Sequence, residues 1–221
     1  MGSIIDEYHV LTAKNCLEKS DAATLMIIGG YQSPYYGKNS QVKFAEKIMK
    51  NELDLATIRL QKPFSITLTV KPIRIIGPEL KNKGVKEAYK DTFGVVGYRV
   101  PRHLERSDYL PKPSAYIMRD EKIDETQCKN CYDIPDKFKS FFFCTEGQGN
   151  FSWGGVGSPT FIVQEKQFIQ IAVLIKGKCD EGKNYPPEPA DATKPRPLTP
   201  YLHLRTDKFY QWLKANSYIG R

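Results

Sequence analysis

The stretch Gly154-Gly155-Val156-Gly157-Ser158-Pro159, which runs into Thr160-Phe161-Ile162-Val163, is the one from which the rest of the chain can be read. Glycines and a proline packed this closely make a tight turn, and the aromatic and β-branched residues after it make a strand, a succession common in β proteins. Further along, Phe168-Ile-Gln-Ile-Ala-Val-Leu-Ile175 is the longest apolar run. It is far too short to span a bilayer and reads as a buried strand. Fifteen prolines, sixteen glycines and 12% aromatic residues among 221, with few long helical patterns, favour an all-β protein with many turns. A chain of this length buries a large core, as one domain or as two small ones.

The net charge of +8 allows attraction to polyanions such as sulfated glycans, acidic membranes or nucleic acid. The basic residues are dispersed, however, with no Lys and Arg run interleaved with aromatics, so nucleic acid is not an expected partner. The five cysteines, Cys16, Cys128, Cys131, Cys144 and Cys179, do not fall into two Cys-x-x-Cys pairs. Cys128-Lys-Asn-Cys131 alone resembles half a zinc site, and a partial disulfide framework is the better reading, with neither metal nor cofactor expected. Met1-Gly2-Ser3 leads straight into strand-like sequence without a basic start, an apolar stretch and a cleavage site, so no signal peptide is read here.

In chain order, Gly2 to Cys16 reads as two short strands around a turn at Asp6-Glu7. Residues 23–28 and 41–45 read as strands separated by a Gly-, Pro- and Tyr-rich turn from Gly29 to Lys38. A short helical pattern, Pro135 to Ser140, precedes the strand Phe141-Phe-Phe-Cys144. Gly177 to Pro200, with six prolines and mixed charge, has the composition of a surface segment, either an insertion or a partner-binding loop. Thr206 to Asn216 reads as a helix with Thr206 or Asp207 as N-cap and Phe209, Trp212 and Leu213 on one face.

Several of these segments resemble, in order and spacing, those of the chymotrypsin-like serine proteases. Gly2-Ser-Ile-Ile…Val-Leu-Thr-Ala-Lys-Asn-Cys16 is similar to the family's Gly-Ser-Leu-Ile…Val-Leu-Thr-Ala-Ala-His-Cys. Asn51-Glu-Leu-Asp-Leu-Ala-Thr-Ile-Arg-Leu60 is similar to Asn-Asp-Ile-Ala-Leu-Leu-Arg-Leu, and the turn at 154–159 to Gly-Asp-Ser-Gly-Gly-Pro. The resemblance runs from Gly2 to about Leu213. It implies two antiparallel β-barrels with a C-terminal helix, the first barrel lacking its N-terminal strand, because the family's opening strand would lie upstream of Met1. The barrels would occupy residues 1–71 and 91–205, with a linker at 72–90 and the helix at 206–218.

The same resemblance places the family's catalytic histidine, aspartate and serine on Asn15, Asp54 and Val156. An asparagine amide does not titrate near neutral pH, so it cannot take a proton from a nucleophile and return it to a leaving group. A valine has no proton to give up and no lone pair to attack with. Asp54 would then have an amide to accept from, in a structural role. Gly154 falls at the former oxyanion position, Asn150 replaces the carboxylate at the base of the trypsin-like pocket, and Gly155 replaces the one that pairs with the activated N-terminus. Ile175-Lys176-Gly177 stands in for the substrate-pairing strand. Cys144 should pair with Cys128 or Cys131, while Cys16 and Cys179 stay open, Cys179 either free or bound to the leftover member of that pair. Phe93 and Ile162 replace both halves of another family bridge, which predicts their contact. Asn150-Phe151-Ser152 is also a glycosylation sequon.

The expectation is a secreted, catalytically inactive serine protease homologue, a regulator or decoy in an immune or proteolytic cascade. Host-defence or cascade proteins would be its partners, with an anionic glycan as a further possibility and no membrane span. The alternatives are a residual hydrolase with a relocated constellation built on His9, His103 or His203, or a structural or storage protein. Each histidine is expected to be structural.

Overall fold

The structure, a computed structural model, describes residues 1–30, 40–77, 92–99, 114–121, 125–145, 155–177 and 200–219. It is mostly β, with two antiparallel sheets and few helices.

Strands β1 (Ser3–Asp6) and β2 (His9–Ala13) form an antiparallel hairpin with Ser3 opposite Leu11 and Ile4 opposite Val10. A 3-10 turn, Lys14–Leu17, follows directly. The strand expected over 23–28 begins later, because the Asp21 side chain accepts from the Ala23 N–H at 3.1 Å and winds Ala22–Thr24 into a second 3-10 turn. Strand β3 is therefore Met26–Gly29, and it pairs with β4 (Gln41–Lys50), which pairs with β5 (Leu55–Leu60). The order is β1-β2-β5-β4-β3, so β1 and β3 are its outer strands and the sheet forms a half-barrel. Val10, Leu17, Ala45, Ile58, Leu60 and Phe64 fill its inner face.

The second sheet contains β6 (Arg74–Ile75), β7 (Thr92–Arg99), β8 (Ser114–Glu121), β9 (Phe142–Thr145), β10 (Pro159–Gln164), β11 (Gln167–Lys176) and β12 (Tyr201–Arg205). Its order is β8-β7-β10-β11-β12-β9, with β6 added parallel to β11. Residues 74 and 75, inside the segment read as a linker, thus belong to this sheet. Strand β11 is buried from Ile169 to Ile175, which is why it reads as a near-continuous apolar run, interrupted only by the hydrogen-bonded Gln170, and not as an alternating one. Helix α1 (Glu125–Cys131) and a 3-10 turn at Asp136–Phe141 precede β9. The C-terminal helix is shorter than its sequence pattern: a 3-10 turn, Asp207–Phe209, leads into α2 (Tyr210–Ala215), and neither has a side-chain N-cap bond. Leu213 is nonetheless fully buried, with Phe209 and Trp212 packed around it.

The two sheets share a core. Ile5, Leu11 and Leu55 of the first pack with Val173, Ile175 and Leu204 of the second. A buried polar stitch runs through it, in which the Ser3 hydroxyl donates to Gln170 Oε1 at 2.6 Å and Gln170 Nε2 donates to the Ala172 carbonyl at 3.1 Å. Both groups would carry a large desolvation cost if left unpaired, so the stitch fixes how the sheets meet. Cys128 and Cys144 form a disulfide that ties α1 to β9, which selects one of the two pairings open to Cys144. Cys131 is disulfide-bonded as well. Among the described residues no helix is long and apolar enough to cross a membrane.

Candidate functional site

The site is built on two tight turns that face each other where the sheets join. The first comprises the 3-10 turn after β2 and the corner between β4 and β5. In that corner Asn51 Oδ1 accepts from both the Leu53 and Leu55 N–H groups at 2.9 Å, folding the chain back on itself. Asp54 at its tip has φ of 87°, a left-handed conformation that aspartate tolerates better than most residues. The Asp54 carbonyl accepts from the Lys14 N–H and its carboxylate from the Asn15 N–H, both at 2.9 Å. The corner is thereby locked to the 3-10 turn.

The second turn is Gly155–Ser158, closed by Ser158 N–H donating to the Gly155 carbonyl at 3.0 Å. Gly157 has φ of 87°, and a Cβ on it would collide with the Met1 carbonyl and the Thr12 hydroxyl. Two bonds to β11 hold the turn: Gly157 N–H to the Leu174 carbonyl at 2.7 Å, and Leu174 N–H to the Ser158 carbonyl at 3.0 Å. The Val156 side chain packs against the shared core, and its carbonyl accepts from the Cys16 thiol at 3.3 Å and from the Met1 nitrogen at 3.2 Å.

Asn15, Asp54 and Val156 therefore gather in one neighbourhood: Asn15 is bonded to Asp54, and its neighbour Cys16 to Val156. The Asn15 side chain does not turn towards the carboxylate. Its Nδ2 donates to the Ile175 carbonyl on β11 at 3.1 Å. Nothing in the sequence pointed to that bond or to the Cys16–Val156 contact, because both join residues more than a hundred positions apart and depend on how the sheets pack. Gly154 and Asn150 lie outside the described residues. So do Ser152, Cys179, His103 and the side chain of Phe93, although the pairing of Thr160 with Val95 and Phe161 with Gly94 runs in the direction of Phe93 and Ile162.

Burial pushes the Asp54 carboxyl up to about 6. The Asn15 N–H and the charges of Lys14 and Lys176 oppose that shift, and Glu18 adds to it. At Asn15 and Val156 the side chains are a carboxamide and an isopropyl group, and neither titrates near neutral pH. The two described histidines are both engaged elsewhere. His9 Nδ1 meets the Asp6 carboxylate at 2.8 Å, and its ring packs edge-on against Tyr218. Burial works to raise the Asp6 carboxyl, but His9 and the Tyr218 and Tyr8 N–H groups outweigh it and hold the group below its ordinary value. His203 is enclosed between the hydroxyls of Thr145 at 2.9 Å and Thr160 at 2.8 Å, and is stacked on Phe143. Burial pushes its pKa down to about 3, so it is neutral at any physiological pH. Among the described residues no group of three or more His, Cys, Asp or Glu side chains is placed to hold a metal ion.

Two antiparallel sheets, one a half-barrel, with a glycine turn facing an aspartate corner across their junction, are consistent with the chymotrypsin-like two-barrel class of protein. The family model described as Trypsin matches residues 1–190. The chain belongs to the trypsin family.

Proposed function

We propose that this chain is a secreted trypsin-family homologue that has lost peptide-bond hydrolysis and acts by binding, as a regulator or decoy in an immune or proteolytic cascade. The observation that carries this reading is the bonding of Asn15. The residue aligned with the general base sits beside the Asp54 carboxylate, yet its side chain is an amide committed to the Ile175 carbonyl. A base must take the nucleophile's proton and return it to the leaving group, and this amide does neither. Val156, aligned with the nucleophile, has no atom able to attack a carbonyl. Loss of nucleophile or base costs on the order of a millionfold in a measured protease.

Both described histidines are held in structural roles, which argues against a relocated base. The Cys128–Cys144 disulfide supports an oxidising, extracellular setting. The net charge of +8 favours acidic protein surfaces or anionic glycans as partners. The turn shape and the stitched core are what a binding scaffold keeps after its chemistry has gone.

The test pairs a fluorophosphonate probe, which labels activated serines, with a library of peptide and ester substrates. Neither labelling nor turnover above buffer is expected. Turnover that disappears on His9→Gln or His103→Gln would replace this reading with that of a residual hydrolase. A pull-down from extracellular fluid should then recover a saturable protein partner, whereas high abundance without one would favour a storage role.

A further inference from the structure

The segment that carries the chain from the first sheet to the second, residues 61–77, displays apolar side chains to water on a rigid frame. Leu68 is 91% exposed and Ile66 47%. This is not the exposure of a loose loop. Phe64 and Val70 anchor this exposed strap, residues 65–69, in the core at either end. Between them, the Thr67 N–H donates to the Val70 carbonyl at 2.9 Å and the Val70 N–H to Thr67 Oγ1 at 3.1 Å. Gln41 clamps Ser65 from both sides, donating to its carbonyl at 2.6 Å and accepting from its N–H at 2.8 Å. The turn is thus preformed, with Leu68 at its tip.

The neighbouring sheet extends the apolar surface. Val42, 41% exposed, shares with Leu68 a shallow groove of about 740 Å³. Phe44, 51% exposed, lies two residues further along β4 on the same face, opposite Met26 of β3. Met26, Val42, Phe44, Ile66 and Leu68 make up most of the large apolar side chains exposed among the described residues, and contiguous exposure on that scale marks a contact surface. The charge is one-sided: residues 61–77 contain Lys62, Lys71 and Arg74 and no acidic residue.

We propose that this strap, with the adjoining face of β3 and β4, docks the protein onto an anionic lipid surface. The order of chemistry along the strap favours a bilayer over a protein pocket. Along the chain the exposed Ile66 and Leu68 are interleaved with the exposed hydroxyl residues Ser65, Thr67 and Thr69, and the exposed Lys62 and Lys71 flank them on either side. That order suits a membrane interface, with apolar side chains for the acyl boundary, hydroxyls for the headgroups and flanking ammonium groups for the anionic phosphate. Apolar insertion or charge alone binds marginally, and stable docking needs both. Each contribution is therefore separately testable, and neither depends on whether the family's catalytic centre is active.

The experiment is co-sedimentation of the full chain with phosphatidylcholine vesicles, with and without a quarter phosphatidylserine, alongside light scattering without lipid. Binding is expected only with phosphatidylserine. Replacing both apex residues, Ile66→Ser with Leu68→Ser, should weaken it by about tenfold or more while leaving the melting temperature unchanged. Lys62→Gln with Lys71→Gln should weaken it several-fold. A Leu68→Trp variant should show blue-shifted emission on binding. Absence of binding overturns the proposal. So does binding indifferent to the apex substitutions or without the tryptophan shift, which would be adsorption by charge alone. A self-association abolished by the apex substitutions would also overturn it, because the face would then be a protein contact.

Discussion

The Asn15 N–H and the Asp54 carboxylate lie 2.9 Å apart, while the Asn15 amide turns away to the Ile175 carbonyl. The aspartate is left with one backbone donor in a half-buried corner, and its carboxyl holds its proton up to about pH 6. An unfolded chain releases that proton near 3.8. Between those values the native state binds more protons, so stability falls as pH rises through the window and stays reduced above it. Asp54→Asn keeps an acceptor for the Asn15 N–H and tolerates the left-handed backbone. It is expected to match the parent near pH 3.5 and to exceed it at pH 7.5 by about 1 kcal/mol, once solvent screening of this partly exposed group is discounted. Thermal melts at the two pH values decide it. A variant less stable at pH 7.5 would mean that Lys14 and Lys176 outweigh burial.

His203 has the opposite sign. Its folded pKa, about 3, lies below its ordinary 6.5. Between these values the unfolded state binds the extra proton, so stability falls as pH drops below about 6.5. Replacing His203 with glutamine removes that proton uptake and should flatten the acid limb between pH 6 and 4. It should also lower stability at pH 7 by roughly 1 to 3 kcal/mol, because the Thr145 and Thr160 hydroxyls lose a rigid bridge. An acid limb as steep in the variant as in the parent would move the proton uptake to another group.

Gly157→Ala meets two obstacles at once, a left-handed backbone and the atoms of Met1 and Thr12 where the new methyl group would sit. A loss of roughly 1 to 3 kcal/mol is expected by urea denaturation. Val156→Ala, one residue away, should cost less, since that side chain only partly packs against the core. Equal losses would show that the turn is not held in the conformation described.

The bridge between Cys128 and Cys144 closes a loop of 16 residues. Replacing both cysteines with serine should cost about 3 kcal/mol by the loop-closure argument. Cys131 is also bonded and Cys16 is the free cysteine among the described residues. Alkylation of the denatured, unreduced protein should therefore label, among the four described cysteines, Cys16 alone, as read by peptide mapping. A label on Cys128 or Cys144 would contradict the pairing.

Much of this was legible in the chain itself. The glycine turn at 154–159, the apolar run at 168–175 and the segments around Asn15 and Asp54 carry their meaning locally, in turn chemistry and side-chain pattern. By themselves they indicated an all-β chain with many turns, while the two barrels and the placing of the site on Asn15, Asp54 and Val156 came from the resemblance to the chymotrypsin-like proteases. The Asp21 cap shortened the strand expected from 23, and within the segment read as a linker Arg74–Ile75 pair with β11, a backbone contact that no local pattern shows.

The chemistry available at Asn15 and Val156 was settled by the sequence alone, since no fold gives valine a nucleophilic atom or an amide the basicity of imidazole. Which cysteine Cys144 would take, where the Asn15 amide would point, and how burial would move Asp54 and His203 in opposite directions were decided only by the tertiary structure. Each of these depends on distance and solvent exclusion between segments far apart in the chain, and those quantities come into being only when the two sheets pack together.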